Sequence, residues 1–104
     1  MPTTLPRNRA PTHPGEMLLE EFIKPYKLTQ TEVAKRLGIS FPRLSEIIHG
    51  HRRVTTDTAL RLERLFGASA GFWLGLQQDW DLWQMLHSPE GAEIEKVEPL
   101  KRTA

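Results

Sequence analysis

Apolar side chains recur every three or four residues in five stretches of this chain, and this spacing predicts five helices. Each stretch is followed by a residue that ends helices: Pro25, Gly38, Gly50, Gly67 and Pro89. The apolar positions are, in chain order, Met17, Leu18, Phe22 and Ile23; Val33, Ala34 and Leu37; Leu44, Ile47 and Ile48; Leu60, Leu62, Leu65 and Phe66; and Phe72, Trp73, Leu76, Trp80 and Trp83.

Hydroxyl residues stand where four of these helices should begin. Thr29, followed three residues later by Glu32, has the form of a capping box. A hydroxyl oxygen at such a position accepts a hydrogen bond from an unpaired backbone N–H of the first turn. The other expected caps are Ser40, Thr55 or Thr56, and Ser69.

The two ends of the chain lack the helical pattern. Residues 1–12 hold three prolines and no periodicity, which predicts a flexible arm. Residues 88–104 form an acidic tail, in which the alternation Ile94-Glu95-Lys96-Val97 predicts a short edge strand or no ordered structure. We therefore expect one all-α domain over residues 13–87, between the arm and a short C-terminal tail.

The second and third predicted helices have the spacing of a helix-turn-helix motif. Counted from Gln30, the fifth residue is Ala34, which is small enough for two helices to cross closely. The ninth is Gly38, which accepts the backbone conformation of the turn. A small all-helical domain of another kind is the alternative. The apolar positions expected to hold the motif together are Val33, Leu37, Ile39, Leu44 and Ile47.

The motif predicts which side chains would face DNA. With the apolar positions of the third helix turned inward, Pro42, Ser45, Glu46 and His49 point outward, with Arg43 beside them and Phe41 at the helix N-terminus. In a major groove, Arg43 would pair with a guanine edge, Glu46 would accept from a cytosine amino group, and Phe41 would contact a thymine methyl group. The expected phosphate contacts are Thr29, Gln30 and Ser40 at helix N-termini and Arg52 and Arg53 in the following loop.

The charge distribution agrees with a DNA-facing N-terminal half. Residues 1–53 hold nine Lys and Arg against five Asp and Glu, whereas residues 54–104 hold five against eight, and the whole chain carries +1. A basic half indicates a polyanionic partner and an acidic half indicates another task, although chance scatter of surface charge is the alternative.

Other function classes find little support in the sequence. The 104 residues include no cysteine, and His49 and His51 have no carboxylate at metal-ligand spacing, so we expect neither a metal nor another cofactor. Asp79 and Asp81 are two apart and do not share a helix face. The sequence also shows no Ser/His/Asp arrangement and no phosphate-binding glycine loop, so we expect no enzyme. The chain shows no secretory signal and no apolar run long enough to span a membrane, so we expect a cytoplasmic protein.

The chain resembles the HigA-type antitoxins of bacterial HigB–HigA toxin–antitoxin modules, within the Xre-like helix-turn-helix proteins. The resemblance runs from His13 to about Asp81. One departure is Gly71, where an acidic capping partner for Ser69 is usual. The resembling segments are residues 13–18, 29–30, 34, 43–50, 52–55, 57–62, 66–67, 72–74 and 77.

The resemblance implies a five-helix, lambda-repressor-like domain that binds operator DNA in its own promoter as a homodimer. It also implies a partner, a HigB-like RNA-cleaving toxin that the protein neutralises. A stand-alone Xre-type repressor without a toxin, and a protein-interaction module that reads no DNA, are the alternatives.

Two partner surfaces follow from the residues themselves. Trp80 and Trp83 extend the fifth apolar stripe beyond what one small core can cover, which predicts a dimer interface there. The acidic half from Val54 onward, or the tail within it, is the expected docking surface for a basic toxin. The arm before His13 is the other candidate, but Arg7 and Arg9 give it the wrong charge for that role.

Overall fold

The structure, a computed structural model, describes residues 10–101, and all regular structure in that range is helical. A single π-helical turn, Leu19–Ile23, directly continues the first α-helix, so the two form one rod that ends just before Pro25. The predicted all-α class is confirmed. The α-helices are α1 (Pro14–Leu18), α2 (Gln30–Leu37), α3 (Phe41–Ile48), α4 (Thr56–Phe66), α5 (Ala70–Leu86) and α6 (Pro89–Glu95).

The predicted hydroxyl caps are all formed. Each side-chain oxygen accepts a hydrogen bond from the backbone N–H three residues on, at 3.0 Å for Thr29, 3.2 Å for Ser40, 3.4 Å for Thr55 and 3.0 Å for Ser69. The carboxylate of Glu32 does not complete the capping box, because it pairs with an arginine one turn further along α2. The starts of α2 to α5 are therefore determined locally.

Helix α1 packs directly against the backbone of α3. A Cβ atom on Gly15 would lie 1.8 Å from the carbonyl oxygen of Ile47, so a side chain at this position has no room. Around this contact Leu18, Leu44 and Ile47 are buried to 1% exposure or less, and Trp73 of α5 is fully buried, as expected for a core residue. The core therefore holds α3 from one side and leaves its other side open to solvent.

The predicted edge strand is wrong, because residues 89–95 form a helix that includes Ile94 and Glu95, whereas residues 97–101 have no regular structure. Residues 10–101 therefore contain six α-helices where five were expected. Helix α6 begins with Pro89, and the Ser88 hydroxyl caps it by accepting from the N–H of Gly91 at 3.3 Å. A serine cap followed by a first-turn proline outweighs four alternating residues. Residues 1–9 of the predicted arm lie outside the described residues, and residues 10–12 have no regular structure.

Candidate nucleic-acid interface

Helices α2 and α3 form the turn that the spacing predicts. Gly38 ends α2 with φ of +73°, in the left-handed region that glycine adopts without strain. Ala34 is 4% exposed, and Val33, Leu44 and Ile47 of the same contact are fully buried. The helix-turn-helix geometry therefore rests on the residues that carried its prediction.

The outward face of α3 is open to solvent. Phe41, Pro42, Glu46 and His49 are exposed and Ser45 is half-buried, as the helical spacing predicted. Nδ1 of His49 lies 2.7 Å from the backbone oxygen of Ser45. Because a carbonyl oxygen only accepts, Nδ1 carries the proton, and in the neutral ring Nε2 is left as an acceptor toward solvent.

Arg43, which was expected beside the outward face, is bound by two side chains of α4. Its Nη2 donates to Oδ1 of Asp57 at 2.9 Å and to Oγ1 of Thr58 at 2.6 Å, and Thr58 is only 2% exposed. Asp57 also accepts from Nε of Arg61 at 2.8 Å. Hydrogen bonds from Arg61 and then Arg43 lower the pKa of Asp57, so its carboxylate stays charged. Arg43 therefore ties the start of α3 to the start of α4.

The two arginines of the loop after α3 are also paired with carboxylates of this chain. Arg52 binds Glu46 of the outward face, and both Nε and Nη2 lie 2.8 Å from the same Oε1. Arg53 binds Asp81 of α5 at 2.9 Å. Every arginine expected to contact DNA is therefore in an ion pair in the free protein.

A buried glutamine fixes the position of this loop. Gln77 of α5 is 3% exposed; its Oε1 accepts from the N–H of Val54 at 2.7 Å, and its Nε2 donates to Oδ1 of Asp81 at 2.9 Å. Oδ2 of Asp81 pairs with Arg53, so one chain of contacts links the loop to α5. Sequence reasoning assigned Gln77 no role; the available signal was that Gln77, one of the three glutamines in α5, lies one turn after Trp73 on the apolar side of the helix.

The expected phosphate contacts at helix N-termini have a spare donor. The hydroxyl oxygens of Thr29 and Ser40 accept the capping bonds, so each O–H remains free to donate to a phosphate oxygen. Gln30, the first residue of α2, is half-buried beside Thr29. These three residues lie at the N-termini of the two motif helices, where backbone N–H groups favour anions.

Residues 19–73 match the family HTH_3, described as helix-turn-helix, whose match covers α2, α3 and α4 entirely. The chain belongs to the HTH_3 family.

Two curated relatives support this HTH_3 assignment. The chain is 47% identical over 77 residues to virulence-associated protein I of Dichelobacter nodosus, covering 73% of this chain and 71% of the relative. It is 39% identical over 77 residues to the uncharacterised HTH-type transcriptional regulator YbaQ of Escherichia coli, covering 74% and 68%.

Solved structures make the resemblance to HigA antitoxins specific. The chain is 38% identical to an addiction module antidote protein of the HigA family from Coxiella burnetii, with a TM-score of 0.80 over 88% of this chain and 100% of that one. It is 33% identical to Pseudomonas aeruginosa antitoxin HigA, solved with the higBA promoter, with a TM-score of 0.81 over 88% and 99%. The resemblance to HigA-type antitoxins of the Xre-like helix-turn-helix family, inferred from the sequence, is confirmed.

Neither tryptophan expected at a dimer interface is fully exposed in this HTH_3 chain. Trp80 is half-buried and contacts the ring of His13 edge-on at 5.1 Å, while Trp83, also half-buried, stacks on His87 at 4.1 Å. Their partial burial shows that the monomer covers part of both rings, and the interface stays a prediction. The exposed apolar residues on the same half of α5 are Leu82, Met85 and Leu86.

Within residues 10–101, no helix is long and apolar enough to cross a membrane. Nor does this part of the chain bring together three or more His, Asp or Glu side chains in an arrangement that would hold a metal ion.

Proposed function

We propose that this protein binds operator DNA with the outward face of α3 in the major groove, and that it thereby represses its own operon. The exposed face of α3 carries the proposal, because Phe41, Glu46 and His49 present apolar, acceptor and ring-nitrogen groups that read base edges. A HigA protein of nearly the same fold is known with its promoter. The proposed function is binding without catalysis, in the bacterial cytoplasm where such DNA lies.

The proposed contacts divide into those that read bases and those that position the protein. Glu46 accepts from cytosine, Phe41 contacts thymine, and Pro42, Ser45 and His49 complete the base-facing surface. The residues that bind phosphates are Thr29, Gln30, Ser40, Arg52 and Arg53.

Arg43 contacts guanine only after it gives up a hydrogen bond within the protein. A bidentate bond to guanine uses N–H groups on two neighbouring nitrogens of the guanidinium. The two possible pairs are Nε with Nη2 and Nη1 with Nη2, so Nη2 takes part in either case. Since Nη2 donates to Asp57 and Thr58 in the free protein, one of those bonds has to be exchanged for the guanine bond.

We infer that the protein acts as a two-fold homodimer. Two recognition helices have to lie about 34 Å apart to enter successive major grooves. The segment around Trp80 and Trp83 is the proposed interface, and the exposed side chains of Leu82, Met85 and Leu86 extend its apolar surface.

We also propose that the protein neutralises a HigB-like, RNA-cleaving toxin, because its structural neighbours are HigA antitoxins. The toxin would dock on the acidic half after Val54, opposite in charge to a protein that binds RNA. A stand-alone repressor is the second candidate, favoured by the similarity to a relative named only as a transcriptional regulator. Co-purification with the product of the neighbouring gene distinguishes the two.

Two arginine variants test the DNA-binding proposal. Arg43→Ala should weaken operator binding by about 1–3 kcal/mol and relax the preference at one base pair. Arg52→Ala should weaken binding to the operator and reduce its salt slope by about one unit. Fluorescence anisotropy with operator and scrambled duplexes at several salt concentrations measures both effects.

Arg64 offers a matched control, because it is exposed in the last turn of α4, outside the two motif helices. Arg64→Ala should leave the preference at every base pair unchanged. If Arg43→Ala and Arg52→Ala exchanged their phenotypes, the assigned roles would be wrong.

A further inference from the structure

One ion pair joins a proposed base contact to a proposed phosphate contact. Glu46 lies on the outward face of α3, and Arg52 lies in the loop that follows. Nε and Nη2 of Arg52 both lie 2.8 Å from Oε1 of Glu46. The side chains are 47% and 49% exposed, so DNA approaching α3 meets them as a pair.

The pair occupies one of the two edges that Arg52 would offer to a phosphate, and the Nη1–Nη2 edge is the other. The Nε–Nη2 edge is one of the two guanidinium edges that bind a phosphate with two parallel hydrogen bonds. While Glu46 occupies this edge, a phosphate has to compete with a carboxylate that is already in place. An exposed ion pair of this kind contributes little free energy, and its loss corresponds to about a two- to fivefold change in an equilibrium constant.

Glu46 also imposes a condition of its own on the DNA. A carboxylate only accepts hydrogen bonds, and its charge is repelled by the phosphates on either side of the groove. The amino groups of cytosine and adenine are the base donors in the major groove, and cytosine is the usual partner of a carboxylate. If the base pair that faces Glu46 offers no amino group, the Glu46 carboxylate has no base partner. It then stays paired with Arg52.

We propose that Glu46 determines specificity by penalising the wrong sequences: it withholds the Nε–Nη2 edge of Arg52 from phosphate on any duplex that offers its carboxylate no amino group. The inference rests on the proposed DNA-binding function and assigns Glu46 a second role within it. Specificity then comes from a repulsive element as well as from an attractive contact.

The test compares affinities for operator and non-operator DNA. A site is first selected from random duplexes with the wild-type protein, and Kd is then measured on that site and on a scrambled duplex. Glu46→Gln keeps the shape of the side chain and removes its charge. It should bind the scrambled duplex two- to fivefold more tightly, with a salt slope steeper by about one unit, and should lower the ratio of the two affinities by about tenfold.

Two further proteins separate this mechanism from a change in net charge. Glu20→Gln makes the same substitution in an exposed ion pair with Lys24 on the π-helical turn, and it should improve scrambled-duplex binding by less than half as much. In an Arg52→Gln background, Glu46→Gln should bring less than half of the gain it brings in the wild-type background, because it then relieves only the charge repulsion and has no arginine to release.

Each outcome decides a different question. Equal gains from Glu46→Gln and Glu20→Gln, or an undiminished gain from Glu46→Gln in the absence of Arg52, would overturn the inference and leave the proposed function intact. If the wild-type protein selects no site at all, the proposed function fails and the inference fails with it. Thermal melting of each variant checks that these exposed substitutions leave the fold unchanged.

Discussion

Replacing Gly15 by alanine should separate α1 from the recognition helix. The new Cβ atom would lie 1.8 Å from the backbone oxygen of Ile47 and 2.9 Å from Cα of Ile48. To reach the 3.4 Å at which ordinary contact begins, the two helices have to move apart by about 1.6 Å. The atoms that the new Cβ would contact belong to the backbone of Ile47 and Ile48, so no side chain can rotate away to make room.

The cost follows from what this contact buries. Overpacking of a tight core costs about 1–3 kcal/mol. If α1 instead undocks, Leu18 and Ile23, which are 1% and 2% exposed, lose their burial at about 1.5–3 kcal/mol each. We therefore expect a loss of about 3 kcal/mol in the free energy of unfolding, which for a domain of this size lowers Tm by roughly 12–24 °C.

Urea and thermal denaturation followed by circular dichroism measure this loss, and a second glycine supplies the control. Gly75 lies inside α5 with no atom within 4 Å of its added Cβ, so Gly75→Ala should raise stability by about 0.5–1 kcal/mol through helix propensity alone. The reasoning would be refuted if Gly15→Ala melted within about 3 °C of the wild-type protein.

Three other predictions concern assembly, the toxin and pH. Trp80→Ala combined with Trp83→Ala should give a folded monomer with a lower Tm, because Trp80 also packs on His13; a double variant that sediments as a dimer contradicts the proposed interface. Deleting the chain from Ser88 onward should reduce toxin neutralisation while sparing operator binding; if deletion of residues 1–12 abolished neutralisation and the tail deletion did not, the charge argument would be wrong. Nδ1 of His13 accepts a hydrogen bond from the N–H of Gly15 at 2.9 Å. Burial lowers the pKa of His13, although the negative charges of Asp81 and Glu16 act in the opposite direction. As the pH falls, the unfolded chain therefore binds a proton at this histidine before the folded chain does. The free energy of unfolding should therefore decrease as the pH drops below about 6.5. In the His13→Asn variant this decrease, measured by urea denaturation across pH, should be smaller.

The local sequence determined where the helices of the motif begin and end. Thr29 and Ser40 cap α2 and α3 because a hydroxyl satisfies an N–H only three residues away, and Gly38 turns the chain because it accepts a positive φ. The exposed face of α3 followed from its three buried apolar residues by rotation alone. These features depend on neighbours within one or two turns, so spacing predicts them.

The tertiary structure decided what the charged side chains of this face bind. Arg43 meets Asp57 and Thr58, and Arg53 meets Asp81, across 14, 15 and 28 positions of the chain respectively, so helical spacing could not pair them. Long flexible side chains take the partner that packing brings within reach, and that partner depends on how α4 and α5 are placed. The sequence therefore predicted which surface meets DNA, and only the folded chain showed that its arginines are already paired there.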